Sequence, residues 1–243
     1  MIYKFSNILT VTFGILFSAS LLAQDYTLNV SLLREADSLF TNKKYTEALT
    51  SYQAVYDQDK ATPAMLLKMA FIHEGLDQTV ESLYFLNQYY QLTADREAIT
   101  KINELAKAHQ LSGYEYSDGE YLLGYYRKYQ TMILGTISAL LLLSTVLVWR
   151  RKQHQETWVP AFVFQIIVAG LLLTFSNQWM ESQKAIIKTN NTVLMNGPAA
   201  GAEPITIITK GHRVEVLERN TIWTKINWNN RVGYVRNNRI LLI

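Results

Sequence analysis

From Met132 to Trp149 the chain carries no charge, and Thr136, Ser138, Ser144 and Thr145 are the only polar side chains in the run. A helix over that run rises about 27 Å, close to the ~30 Å thickness of bilayer hydrocarbon. A second charge-free run starts at Trp158, carries the single amide Gln165 as far as Phe175, and continues to Trp179. Between the two stand Arg150, Arg151, Lys152 and five further polar residues, too few to fold alone but enough to turn a helix around. The pattern predicts transmembrane helices over 132–149 and 158–179, joined by a loop over 150–157. The three basic residues assign that loop to the cytoplasmic side.

Before this hairpin the apolar spacing is helical. Residues 34 apart pair Ala36 with Ala70, Ala48 with Ser82, Leu49 with Leu83, Tyr52 with Leu86 and Tyr56 with Tyr90, with no gap. Helices of one repeat are separated at Lys43-Lys44-Tyr45, and those of the next at Gly75-Leu76-Asp77-Gln78. A further helix, Asp95 to Gln110, carries Ile99, Ile102, Leu105 and Ala106 on one face, with Asp95 placed as its N-cap. The helical domain spans 24–112. Gly113, Ser117, Asp118 and Gly119 mark a linker, and Tyr121, Tyr125, Tyr126 and Tyr129 then crowd a juxtamembrane helix, so 113–131 connects the helical domain to the membrane.

After the hairpin the rhythm shortens. Apolar segments at Thr192–Met195, Ile205–Ile208, Val214–Leu217, Ile222–Ile226, Val232–Val235 and Ile240–Leu242 alternate with turn signals at Gly197-Pro198, Lys210-Gly211, Arg219-Asn220 and Asn229-Asn230. Short strands at such spacing predict a small all-β barrel over 184–243. At the other end, Lys4, the apolar Ile8 to Leu22 stretch and Leu21-Leu22-Ala23 before Gln24 read as a secretory signal over 1–23, cut after Ala23. An exported start and two crossings put both soluble parts outside the cytoplasmic membrane.

Composition sharpens this picture in two places. The chain has no cysteine, which removes disulfides, thiol nucleophiles, zinc–thiolate sites and a lipidated cysteine together. Charge is unevenly spread: Gln24–Glu120 holds 8 basic and 15 acidic residues (8 − 15 = −7), whereas Met180–Ile243 holds 9 and 4 (9 − 4 = +5). The four histidines, His73, His109, His154 and His212, lie in four segments without metal-ligand spacing, and no phosphate loop or serine elbow appears. The expectation is a protein that is not an enzyme, needs no cofactor or metal and binds no nucleic acid.

The helical repeats resemble the tetratricopeptide family, since Ala36, Tyr45, Ala48, Tyr52 and Val55 fall where it places small, Tyr, Ala, aromatic and small residues; Thr79 departs from it. That resemblance implies a concave binding face, for which Arg34, Ser38, Asn42 and Lys68 are the candidates. His73 is expected in the core. The tail resembles the bacterial SH3-like domain through Gly197-Pro198, Lys210-Gly211, Val214-Glu215-Val216, Trp223 and Gly233-Tyr234-Val235, with Met195 standing where the family often has Arg. It implies docking of proteins or of cell-wall peptides, with Trp228 and Tyr234 as groove candidates and Trp223 in the core.

The order of parts resembles the BatE family of the Bacteroides aerotolerance operon. That resemblance implies partners among membrane proteins with von Willebrand A domains and a MoxR-type ATPase, in aerotolerance or envelope stress. The expected fold is thus a multidomain membrane protein with tetratricopeptide-like repeats, a two-helix hairpin and an SH3-like barrel. The expected role is a membrane-anchored adaptor with two binding modules in the periplasm; the alternative is a protein that anchors to or senses peptidoglycan.

Overall fold

The computed structural model describes residues 30–155, 157–176 and 183–243. The signal read over 1–23 and the end of the second apolar run at Trp179 lie outside the described residues. The chain divides into two compact units, one up to Phe85 and one from Leu86 onward.

The first unit contains α1 (30–41), α2 (Tyr45–Tyr56), α3 (Pro63–Gly75) and the start of α4 (Thr79–Thr93). Thr62 starts α3: its hydroxyl accepts from the Met65 N–H at 3.3 Å, and Pro63 follows where a missing N–H does no harm. The turns between paired helices repeat. Lys43 and Asp77, 34 residues apart (77 − 43 = 34), both take φ of 59°. Ala36, Ala48, Ala70 and Ser82 are all buried, so small side chains sit where the helices approach.

The second unit takes the rest of α4, then α5 (Arg96–Ala108), where Asp95 accepts from the Glu97 N–H at 3.0 Å as the N-cap. Ala98, Ile99, Ile102, Leu105 and Ala106 form its buried face. Ser117 caps α6 (Asp118–Gln153), whose 36 residues make about 54 Å of helix. The juxtamembrane helix and the first membrane run are therefore one element, and its last turn takes in Arg150, Arg151 and Lys152 from the expected loop.

α7 (Val159–Ser176) returns antiparallel to α6. The Tyr126 hydroxyl donates to the Phe175 carbonyl near one end, Gln165 donates to Thr145 at 2.9 Å midway, and Arg151 donates to the Thr157 carbonyl at the other end. Gln165 faces the partner helix, as an amide in hydrocarbon must. Both helices are long and apolar enough to cross a membrane, with few of their side chains buried. Leu142 at 69% and Leu173 at 70% exposure present to the surroundings what a soluble core helix would hide.

The tail is a seven-stranded antiparallel sheet: β1 (Gln183–Ile187), β2 (Thr192–Met195), β3 (Pro204–Ile208), β4 (Arg213–Arg219), β5 (Trp223–Trp228), β6 (Arg231–Arg236) and β7 (Ile240–Leu242). Its order is β3-β2-β6-β5-β4-β1-β7. Every strand contributes to one cluster, from Ala185 and Ile187 through Leu194, Ile208, Val214, Ile226 and Val235 to Ile240, so the sheet curls around a single core. Asn229 and Asn230, at φ of 50° and 61°, make the two-residue turn between β5 and β6. The segment 183–187, which the sequence leaves without a strand, is β1, paired with both β4 and β7.

Candidate functional site

On the helical unit, Arg34, Ser38 and Asn42 are exposed, spaced by four along α1 and into the turn that follows. Lys68 differs. Its ammonium pairs with Asp37 at 2.7 Å and lies 5.5 Å above the Phe40 ring, tying α3 to α1. Asp37 also accepts from the Tyr52 hydroxyl at 2.6 Å. Partial burial pushes the Asp37 carboxyl up, but the bonds from Lys68 and Tyr52 and the Lys68 charge prevail and hold it below its usual range. The remaining three candidates stay open to solvent. His73 is buried, stacked on Phe85 at 5.3 Å and bonded through Nδ1 to Gln78 at 2.6 Å, while its Nε2 has no partner.

In the tail, Trp228 and Tyr234 do not meet. The β5–β6 register is unbroken from Trp223 opposite Arg236 to Trp228 opposite Arg231. Residues alternate in facing, so Thr224, Ile226 and Trp228 point to the core side, and Trp223, Lys225 and Asn227 point out. Trp228 packs against the core cluster. Tyr234, opposite Lys225, is half-buried on the outer face, with the Lys225 ammonium 6.0 Å from its ring. Trp223, expected inside, stands on that outer face under the Arg236 guanidinium at 5.5 Å, because strand parity puts it there.

The core-side aromatic is engaged by the chain itself. Residues 111–117, read from the sequence as a linker, form a strap along β4 and the turn before it. The Trp228 indole N–H donates to the Ser112 hydroxyl at 3.2 Å, and that hydroxyl and the Ser112 backbone N–H both reach His212 Nδ1, at 2.9 and 3.0 Å. A backbone N–H can only donate, so Nδ1 is the acceptor and Nε2 carries the proton, which it offers to Thr209 at 3.0 Å. Burial holds this imidazole below its ordinary 6.5.

Beside it, Tyr114 is buried and donates to the Gly211 carbonyl at 2.7 Å. Arg213, at the start of β4, holds the strap in place. Its guanidinium donates to the Gly113 and Glu115 carbonyls and lies 5.3 and 4.2 Å from the Tyr114 and Tyr116 ring centroids. Burial pushes the Tyr116 phenol up to about 12, against the pull of the Arg213 charge. Glu120, in the first turn of α6, pairs with Arg213 at 3.6 Å and with Lys184 of β1. Burial and the Arg213 charge lower the Lys184 ammonium, and Glu120 opposes them.

Two glycines permit this closeness. Gly113, at φ +88°, sits against the Arg213 backbone, and Gly211, at φ +95°, has Leu111 within 2.9 Å of where a Cβ would stand. Next to the strap, a cleft of about 300 Å³ is lined by Glu120, Lys184, Arg213, Glu215, Asn227 and Trp228, among others. The Asn227 side-chain oxygen is buried there without a partner. Among the described residues, no group of three or more His, Asp or Glu is placed to hold a metal.

The family model for the bacterial SH3 domain matches residues 196–240, from the turn after β2 to the first residue of β7. The tail is thus similar to a bacterial SH3 domain, and His212, Arg213, Trp223, Trp228 and Tyr234 all lie within the match. No curated protein matches the chain. The strap residues Ser112, Gly113, Tyr114 and Tyr116 were not among the sequence candidates. Their signal was present in the Ser-Gly-Tyr-Glu-Tyr run, whose aromatic alternation is unusual for a free spacer.

Proposed function

We propose that this chain is a non-enzymatic, membrane-anchored adaptor that presents two protein-binding modules to the periplasm, in an aerotolerance or envelope-stress complex of the BatE type. The observation that carries the reading is the antiparallel return of α7 along α6, with Glu120 before the first span paired to Lys184 after the second. The segment entering the membrane and the barrel leaving it therefore lie at one end of the hairpin. The match to the bacterial SH3 domain supports a protein- or peptidoglycan-binding barrel. The recurrence of positive φ at Lys43 and Asp77 supports the tetratricopeptide reading of the helices.

Partners by this reading are membrane proteins with von Willebrand A domains and a MoxR-type ATPase system. Affinity capture on the full chain and on a chain lacking residues 30–85 tests it: the deletion loses envelope partners, and unchanged recovery of all of them counts against the adaptor. The second reading, peptidoglycan anchoring or sensing, rests on the same family match and on the half-buried outer-face rings of Trp223 and Tyr234. Full-length protein in detergent pelleting with isolated sacculi at low salt supports it, and a protein that stays in the supernatant removes it.

A further inference from the structure

Residues 111–117 lie on the barrel in the manner of a bound peptide. Their side chains alternate: Ser112, Tyr114 and Tyr116 turn inward, whereas Gly113, Glu115 and Ser117 are exposed. The barrel holds the main chain between them. The Ser112 N–H donates to His212 Nδ1 at 3.0 Å, the Ser112 carbonyl accepts from the Arg213 N–H at 3.0 Å, and the Gly113 and Glu115 carbonyls accept from the Arg213 guanidinium. One side chain is sunk: Tyr114 is 4% exposed, and its hydroxyl donates to the Gly211 carbonyl. Main-chain bonds combined with pockets for alternate side chains are how extended peptides are recognised.

The receiving side belongs to the barrel alone. Gly211, His212, Arg213 and Trp228 all lie inside the region 196–240 that matches the bacterial SH3 domain, and the strap lies far upstream of it. The buried core cluster of the barrel, Ala185 through Ile240, comes from its own strands, with no residue from the strap. An empty face would strip the Arg213 cation of two carbonyls and two rings, which disfavours opening without a replacement. Exchange for a second segment of like chemistry restores those contacts. There is an entry point for one: the cleft of about 300 Å³, lined by Gly113 on the strap and by Trp228 and Asn229 on the barrel, is open while the strap is seated.

We propose that the strap is a built-in occupant of a peptide-binding face, and that the barrel takes in its place a segment of a partner protein carrying Gly-Tyr-x-Tyr. Glycine is required where Gly113 stands at φ +88°, with the Arg213 backbone against its Cβ position. The first tyrosine fills the Tyr114 pocket and reaches Gly211. The second closes over Arg213, whose guanidinium lies 4.2 Å from the Tyr116 ring centroid. Because the strap is tied between α5 and α6, its effective concentration is on the order of mM, so a dilute free segment is excluded until the strap is weakened. This rests on the reading of the barrel as a binding module and deepens it by naming the face, its blocked state and the chemistry of the ligand.

The test uses the full chain in lipid nanodiscs and a fluorescent peptide copying residues 111–117, with a control peptide in which alanine replaces the residue equivalent to Tyr114. Tyr114→Ser removes the anchor of the strap, and Gly113→Ala strains its backbone; both leave Gly211, His212, Arg213 and Trp228 in place. Saturable binding of the copy is expected in each variant, at least about tenfold tighter than to wild type, with no saturable binding of the control, which carries the same charge. No saturable binding to either variant, binding to wild type as tight as to the variants, or equal binding of the control overturns the proposal. Affinity capture separates the two levels: if both variants recover envelope partners as wild type does and the copy displaces none, this face falls, while the adaptor, tested by the loss of residues 30–85, stands.

Discussion

The guanidinium of Arg213 donates to the carbonyl of Gly113, one hundred residues earlier in the chain. The bond joins the first residue of β4 to the segment that leads into the first membrane helix. Arg213 has almost no exposed side chain, two backbone carbonyls accept from it, two tyrosine rings cover it, and Glu120 balances its charge. A buried cation held this way fixes one arrangement, because any other leaves the charge unpaired.

Removing the guanidinium exposes how much depends on it. Arg213→Ala is expected to destabilise the second unit by about 3–5 kcal/mol, the usual range for breaking a buried pair. Arg213→Lys falls between wild type and Arg213→Ala, since an ammonium keeps the charge but lacks the planar fork that serves two carbonyls. Denaturant unfolding of the full chain in detergent, with limited proteolysis within 111–117, reads both effects. Wild-type cleavage rates in Arg213→Ala would show that the strap does not depend on this residue.

Gly113→Ala is expected to destabilise by about 1–3 kcal/mol, because an L residue is strained at φ +88° and the new methyl meets the Arg213 backbone. Gly201→Ala, with nothing within 4 Å of its Cβ position, should stay within about 0.5 kcal/mol of wild type. Thermal melts of the two variants side by side measure the difference. Equal melting points would mean that the strap tolerates a side chain at 113.

Acid should loosen the strap through His212. Its folded value lies below 6.5, so the unfolded chain binds the proton first, and the stabilisation is complete above 6.5 and lost as pH falls through the folded value. The structural cause is that a protonated Nδ1 turns a donor toward the Ser112 N–H. The protection of the 111–117 amides from hydrogen exchange, taken against the intrinsic exchange rate at each pH, should therefore fall below pH 6.5. His212→Asn, which keeps an acceptor and cannot titrate there, should flatten that dependence; a slope unchanged in the variant assigns it to another group.

The chain has no cysteine, so single introduced thiols report sidedness without background. Asn220→Cys and His154→Cys replace exposed residues at the β4–β5 turn and the α6–α7 turn. An impermeant thiol reagent applied to spheroplasts should label position 220 at once and position 154 only after permeabilisation. The reverse order would place the barrel in the cytosol and end the periplasmic adaptor and the wall-binding readings together.

Local pattern by itself determined much of this protein. Two charge-free runs specified the α6–α7 hairpin, since nothing but a hydrocarbon-facing or deeply buried helix tolerates such composition, and Gln165 announced the helix it would face. Asp95 marked the start of α5, and the spaced apolar pairs located β2 through β7 to within a few residues. β1 escaped because its apolar residues Ala185, Ile186 and Ile187 are consecutive and all fully buried, so they show no alternation to read. Parity along β5 could have separated Trp223 from Trp228, but which parity faces the core is set by the curl of the whole sheet. The strap was legible only as composition. That Ser112, Gly113, Tyr114 and Tyr116 close upon His212, Arg213 and Trp228 was decided by tertiary structure, because periodicity records which side of its own element a residue occupies and carries no record of what, a hundred positions away, arrives to cover it.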